Sequence, residues 1–138
     1  MTVVKICGIA SAGDARLAAE AGADLIGMHF CDSSRRITPA EGWEIARSLG
    51  PERPPLVGVF INQDPAEVRQ ICDLVGLDLV QLHGSEQPGS DWGRPALKVL
   101  KVREGVLPDD SGWDDPILLD SWSQDHRGGT GRTWDWEK

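Results

Sequence analysis

Three times in the first half of the chain, a short and almost continuously apolar run is followed by a segment that opens on Ser, Thr or Asp and closes on Gly. The runs "VVKIC" (3–7), "ADLIGMHF" (23–30) and "PLVGVFIN" (55–62) are rich in β-branched and bulky apolar residues, which suit strands. The segments behind them are "SAGDARLAAEAG" (11–22), "TPAEGWEIARSLG" (38–50) and "DPAEVRQICDLVG" (64–76). Each begins with a side chain that can cap a helix, and the last two carry Pro at the first helical position. Strands with no polar alternate face must be covered on both sides, and a strand-helix-strand crossover makes its two strands parallel. The repeat therefore predicts a parallel sheet clothed in helices, either an open doubly wound sheet or a (β/α) barrel.

Three further apolar runs, "LDLVQLHG" (77–84), "ALKVLKV" (96–102) and "PILLD" (116–120), bring the total to about six strands. The connections between them change character. "SEQPGSDWGRP" holds Pro88, Gly89, Gly93 and Pro95 and leaves room for hardly a turn of helix, and "REGVLPDDSGWDD" (103–115) is no better. No linker or low-complexity run divides the halves, so residues 1–138 are read as a single domain.

A chain that is 40% hydrophobic and 26% charged has a globular composition. It has no apolar run of membrane-span length and no signal peptide at "MTVVKICG", which predicts a cytoplasmic protein without a membrane partner. A net charge of -8 with scattered basic residues argues against nucleic acid, though not against a small anion held by local positive charge. Cys7, Cys31 and Cys72 are odd in number and form no CxxC pair, so they read as free thiols.

The turn after the first strand, "CGIASAGD", is neither GxGxxG nor a Walker loop, which weakens the nucleotide-binding alternative. A barrel keeps its chemistry at the C-terminal ends of its strands, and there stand Cys7, His29, His83 and Asp120. Taken one at a time these residues are weak signals. A Cys ending an apolar strand is ordinarily a small core residue, an Asp there caps a turn as often as not, and His29 with Cys31 supply only two donors, too few for a metal site. Strand alternation puts Lys5 beside Cys7 on one face, where the ammonium could favour a thiolate, and pairs Gln81 with His83 on another. The turn Gly128, Gly129, Thr130, Gly131, between Arg127 and Arg132, could offer backbone N–H groups to a phosphate or could be a plain loop.

Together, "KICGI", "DARLAAEAGADLIGMHF", "SRRITPAEG", "VGVFIN", "VQLHGSE", "ILLDS" and "GGTGRTWDW" run collinearly over almost the whole chain and resemble the phosphoribosylanthranilate isomerases of tryptophan biosynthesis. The resemblance implies a TIM (β/α) barrel of the ribulose-phosphate-binding type. That fold needs roughly 200 residues or more, so these six strands are read as an incomplete or trimmed barrel with the helices after strands four and five atrophied. The implied reaction is an Amadori rearrangement of N-(5'-phosphoribosyl)anthranilate, a phosphorylated small molecule, to 1-(2-carboxyphenylamino)-1-deoxyribulose 5-phosphate. It takes an acid and a base and no cofactor, metal or nucleotide. By motif match Cys7 is the base and Asp120 the acid. Arg35, rather than its neighbour Arg36, meets the anthranilate carboxylate. Gln81 and His83 line the pocket by the sugar, and Gly128, Gly129, Thr130 and Gly131 belong to the loop after strand six.

In the family, strands seven and eight bring further glycine-rich turns for the phosphate, and none follows here. An active isomerase, an inactive remnant, and one half of a split or self-associating barrel completed by another chain all remain open. A bifunctional enzyme that also serves the histidine pathway fits less well, because that chemistry is usually run by two strand-end aspartates and strand one here ends in Cys7.

Overall fold

The structure is a computed structural model in which residues 1–103, 106, 109 and 112–121 are described. Its elements follow the predicted rhythm: β1 (Lys5–Cys7), α1 (Ala12–Glu20), β2 (Leu25–His29), α2 (Pro39–Leu49), β3 (Leu56–Phe60), α3 (Pro65–Val75), β4 (Leu79–Leu82), β5 (Ala96–Val102) and β6 (Ile117–Ser121). β1 is shorter than the run 3–7 because Lys5 pairs with Leu25, the first residue of β2, and residues 3 and 4 lie beyond that neighbour.

All three helices start where the polar caps stand. The Ser11 hydroxyl accepts from Asp14 N–H, the Thr38 hydroxyl from Glu41 N–H, and the Asp64 carboxylate from Ala66 N–H. Glu41 returns the bond to Thr38 N–H, completing a capping box. Gly76 ends α3 at φ 78°, a left-handed turn that a Cβ would strain.

The strands are laid down in the order β1-β2-β3-β4-β5-β6, every neighbouring pair parallel. A doubly wound sheet reverses its order partway, and this one does not. The sheet is also curled. Laid flat, β1 and β6 would stand about 24 Å apart at the usual spacing of strands, yet Lys5 and Cys7 of β1 border the same cavity as Leu118 and Asp120 of β6. Six parallel strands thus form a curled part-barrel, as the resemblance implies.

The curl separates two faces. Ile26, Met28, Leu56, Phe60, Val80 and Leu82 point outward and are fully or almost fully buried against Val68, Ile71, Cys72 and Val75 of α3 and the other helices. Phe30 and Phe60 stack there with ring centroids 5.7 Å apart. Each such side chain contributes about 1.5–3 kcal/mol on burial. The alternate residues of the same strands face inward and make the floor of the cavity.

No helix follows β4, as the Pro and Gly residues predict. A loop takes its place on the outer face, and Trp92, 7% exposed, joins the core there. Arg94 fastens the loop to α3, its Nε donating to Leu77 O at 2.8 Å and its Nη2 to Asp73 at 2.9 Å. Among the described residues no helix is long and apolar enough to cross a membrane.

Candidate active site

A cavity of about 660 Å³ opens at the C-terminal ends of the strands. Two polar networks line it, one rising from β1 and β2, the other crossing from β1 through β4 to β6.

The first is built around a thiol. Cys7 Sγ lies 3.4 Å from His29 Nε2, and His29 Nδ1 lies 2.9 Å from Ser33 Oγ. Ser33 Oγ also accepts from Arg35 N–H at 3.2 Å, while Arg35 Nη1 donates to Cys7 O at 3.2 Å. Two glycines make this packing possible. Gly8, at φ 81°, leaves the space that the Arg35 guanidinium occupies, since a Cβ there would meet it at 2.4 Å. Gly27, the register partner of Cys7, leaves space for the sulfur.

The second network has its proton positions determined by its donors. Lys5 Nζ can only donate, and it donates to Gln81 Oε1. The Gln81 amide nitrogen is thereby turned toward His83 Nδ1, 3.3 Å away, which must accept. The His83 proton then sits on Nε2, which lies 3.4 Å from Asp120 Oδ2. At that distance the contact is not a well-formed hydrogen bond, so among the described residues Nε2 has no hydrogen-bond partner, and the two groups form an ion pair only when the ring is protonated. Lys101 is the register partner of Asp120 and shares its face.

Both imidazoles are held below their ordinary pKa of 6.5. For His29 the main cause is burial, reinforced by the charges of Arg35 and Lys5. For His83 burial outweighs the opposing pull of Asp120. Each is therefore neutral near pH 7. A thiol with an imidazole on one side of the cavity, and a carboxylate with an imidazole on another, can give and take protons at two points of a bound molecule.

Of the candidate residues, Cys7, Arg35, Gln81, His83 and Asp120 all border this cavity. Arg36 borders a separate hollow beside Phe30 and Glu67. Lys5 faces the cavity as alternation requires, but its ammonium is bonded to Gln81. The group on the sulfur is His29, a role the sequence reading did not assign; its position at a strand end was the only signal. Cys31 is buried, and burial pushes its thiol up. Among the described residues no three or more His, Cys, Asp or Glu side chains gather as a metal site. Gly128, Gly129, Thr130 and Gly131, with Arg127 and Arg132, lie outside the described residues. A neighbouring cavity of about 710 Å³ lies over the loops after β4 and β5. It holds no thiol, and its buried charges, Lys98 and Glu86, are bonded to each other.

Comparison with known proteins agrees with this arrangement. The family model for N-(5'-phosphoribosyl)anthranilate isomerase matches residues 4–138. The N-(5'-phosphoribosyl)anthranilate isomerase of Pelobacter propionicus is 44% identical over 145 residues, covering 99% of this chain and 68% of that protein. The crystal structure of phosphoribosyl anthranilate isomerase from Thermotoga maritima superposes with a TM-score of 0.82 at 32% identity, over 99% of this chain and 69% of that one. A phosphoribosyl anthranilate isomerase in complex with reduced 1-(o-carboxyphenylamino)-1-deoxyribulose 5-phosphate superposes with a TM-score of 0.74 at 32% identity, over 88% and 66%. The chain spans about two thirds of the length of these relatives. With six parallel strands, a strand-end thiol and a strand-end carboxylate on one cavity, and a match along almost its whole length, the chain belongs to the N-(5'-phosphoribosyl)anthranilate isomerase family.

Proposed function

We propose that this chain carries the acid-base chemistry that converts N-(5'-phosphoribosyl)anthranilate to 1-(2-carboxyphenylamino)-1-deoxyribulose 5-phosphate in tryptophan biosynthesis. The observation that supports this reading is the convergence of Cys7 and Asp120, from the two outer strands of the sheet, on one cavity. Asp120 protonates the furanose ring oxygen, the ring opens to a protonated Schiff base, and the Cys7 thiolate removes the proton from C2'. The resulting enolamine becomes the ketone. Arg35, held over Gly8 at the mouth of the cavity, offers its planar fork to the anthranilate carboxylate. Gln81 and His83 line the sugar subsite, and the Gly-rich segment Gly128, Gly129, Thr130, Gly131 receives the phosphate. The reaction takes place in the cytoplasm and requires neither metal nor nucleotide.

A second reading rests on the sheet. Among the described residues β1 and β6 have one strand neighbour each, so a second copy or a complementing chain can pair with those edges and complete the barrel.

The test of the first reading is a steady-state isomerase assay on the protein, complemented if need be. Cys7→Ser and Asp120→Asn should each lower kcat by on the order of a hundredfold or more and leave KM nearly unchanged. Undiminished turnover in Cys7→Ser would remove the assignment.

A further inference from the structure

The Cys7 sulfur lies between a strand backbone and an imidazole, and everything holding that imidazole comes from one short loop. His29 ends β2 and reaches Sγ with Nε2. Its other nitrogen meets Ser33 Oγ, which is itself fixed by the backbone N–H of Arg35. The Arg35 side chain then returns to the carbonyl of Cys7. One residue thus ties down both ends of a path that runs from sulfur to imidazole to hydroxyl. Ser33 is partly exposed, between exposed Asp32 and Ser34, so the path ends at solvent.

We propose that His29 is a positioning residue for Cys7, accepting its thiol proton at Nε2 and passing a proton on through Ser33, so that the sulfur is returned to thiolate before each turnover. The inference rests on the reading of Cys7 as the base. The balance is simple. The S–H bond breaks, Nε2–H forms, and the electron pair stays on sulfur. The imidazolium gives its Nδ1 proton to the Ser33 oxygen as the hydroxyl releases its own proton to water; once the C2' proton has been taken, Ser33 returns a proton from water to Nδ1 and Nε2 gives one up to water in the cavity, which restores the accepting tautomer. The thiolate pair then takes the C2' proton, the C2'–H pair moves into the C1'–C2' bond, and S–H is restored. Nothing is oxidised or reduced by the protein.

A hydroxyl suits this relay because it can donate or accept. With Ser33 accepting from Nδ1–H, Nε2 is bare and takes the thiol proton. With Ser33 donating to Nδ1, Nε2–H faces a thiolate. The groups facing His29 are Lys5 and Cys7 from β1, Cys31, Asp32 and Arg35 from its own loop, His83 just after β4, and Asp120 across the cavity, while β3 and the residue after it contribute only Val59 and Ile61. The cations and burial keep the imidazole neutral, which is the form that can accept.

The test needs no turnover. Alkylation of the whole chain by iodoacetamide is followed between pH 5 and 8, and Cys7 is distinguished by mass spectrometry from the buried Cys31 and Cys72. The wild-type rate should carry an inflection below pH 6.5, reactivity being lost as pH falls and the imidazole protonates. His29→Asn should lose that inflection and react about tenfold more slowly at pH 7. Ser33→Ala, a change at a partly exposed loop position, should shift the inflection and serves if His29→Asn does not fold. An unchanged rate profile in a folded variant of either residue would overturn the proposal. The outcomes are separable from those for the reaction: altered alkylation without isomerase turnover leaves the pair standing and removes the functional reading, while turnover with unaltered alkylation does the reverse. Where turnover is present, His29→Asn should lower kcat at unchanged KM, and a change confined to KM would likewise count against the relay.

Discussion

Cys7 and Gly27 are register partners on β1 and β2, and a Cβ on residue 27 would lie 2.7 Å from Sγ and 3.2 Å from the Cα of Cys7. The sulfur could rotate away from such a methyl group, but the backbone could not. Gly27→Ala should therefore cost about 1–3 kcal/mol, the usual penalty for overpacking. It should also carry the sulfur off His29, so that Cys7 alkylation at pH 7 slows along with kcat. Urea unfolding and the alkylation rate measure the two effects separately, and a normal alkylation rate would show that the sulfur keeps its place. Nothing in "LIGMH" announces this requirement, because it exists only once two strands are in register.

At the scale of elements, the loop after β4 does the work of the helix that is not there. Lys98, on the outward face of β5 and paired in register with Leu82, donates to Glu86 Oε2 at 2.8 Å, with side chains only 5% and 3% exposed. Lys98 also donates to Gly84 O at 2.7 Å, and Glu86 accepts from the backbone N–H groups of Asn62 and Gly84. One ion pair thus ties the residues just after β3 and β4 to β5. Removing one partner strands the other charge in the interior, so Lys98→Met should destabilise the fold by about 3–5 kcal/mol. A double-mutant cycle with Glu86→Leu should return much of that loss, since the apolar pair leaves no buried charge. A double-variant loss equal to the sum of the two single losses, read from urea unfolding, would mean that the charges do not depend on each other.

For the whole molecule, the outer strands are decisive. β1 and β6 each present one edge unpaired among the described residues, and Ile6 and Leu119 on their outward faces are 40% and 43% exposed. Unsatisfied N–H and C=O groups beside apolar surface favour pairing with another strand. Light scattering on the 138-residue chain should give a mass above that of one copy, rising with concentration. A monomer with a cooperative melt and no binding of a hydrophobic dye would count against edge pairing.

The helices, the strands and a parallel sheet clothed in helices were legible from the chain because they rest on local chemistry: capping side chains, Pro at first helical positions, Gly at helix ends, and apolar runs too continuous for a one-sided sheet; the barrel itself came from the resemblance, and the strand order from the structure. The missing helix after β4 was legible for the same reason. Cys7 and Asp120 could be named as a pair only through motif resemblance, for neither carries a local signal of its role. That the two border one cavity, that Lys5 serves Gln81, and that His29 meets the sulfur depend on register and curl. Those are settled when side chains distant in sequence, such as Lys5 and Gln81 or His83 and Asp120, are brought to one face by packing on the opposite one. Local propensity contains no term for such a meeting, so only the tertiary structure could decide it.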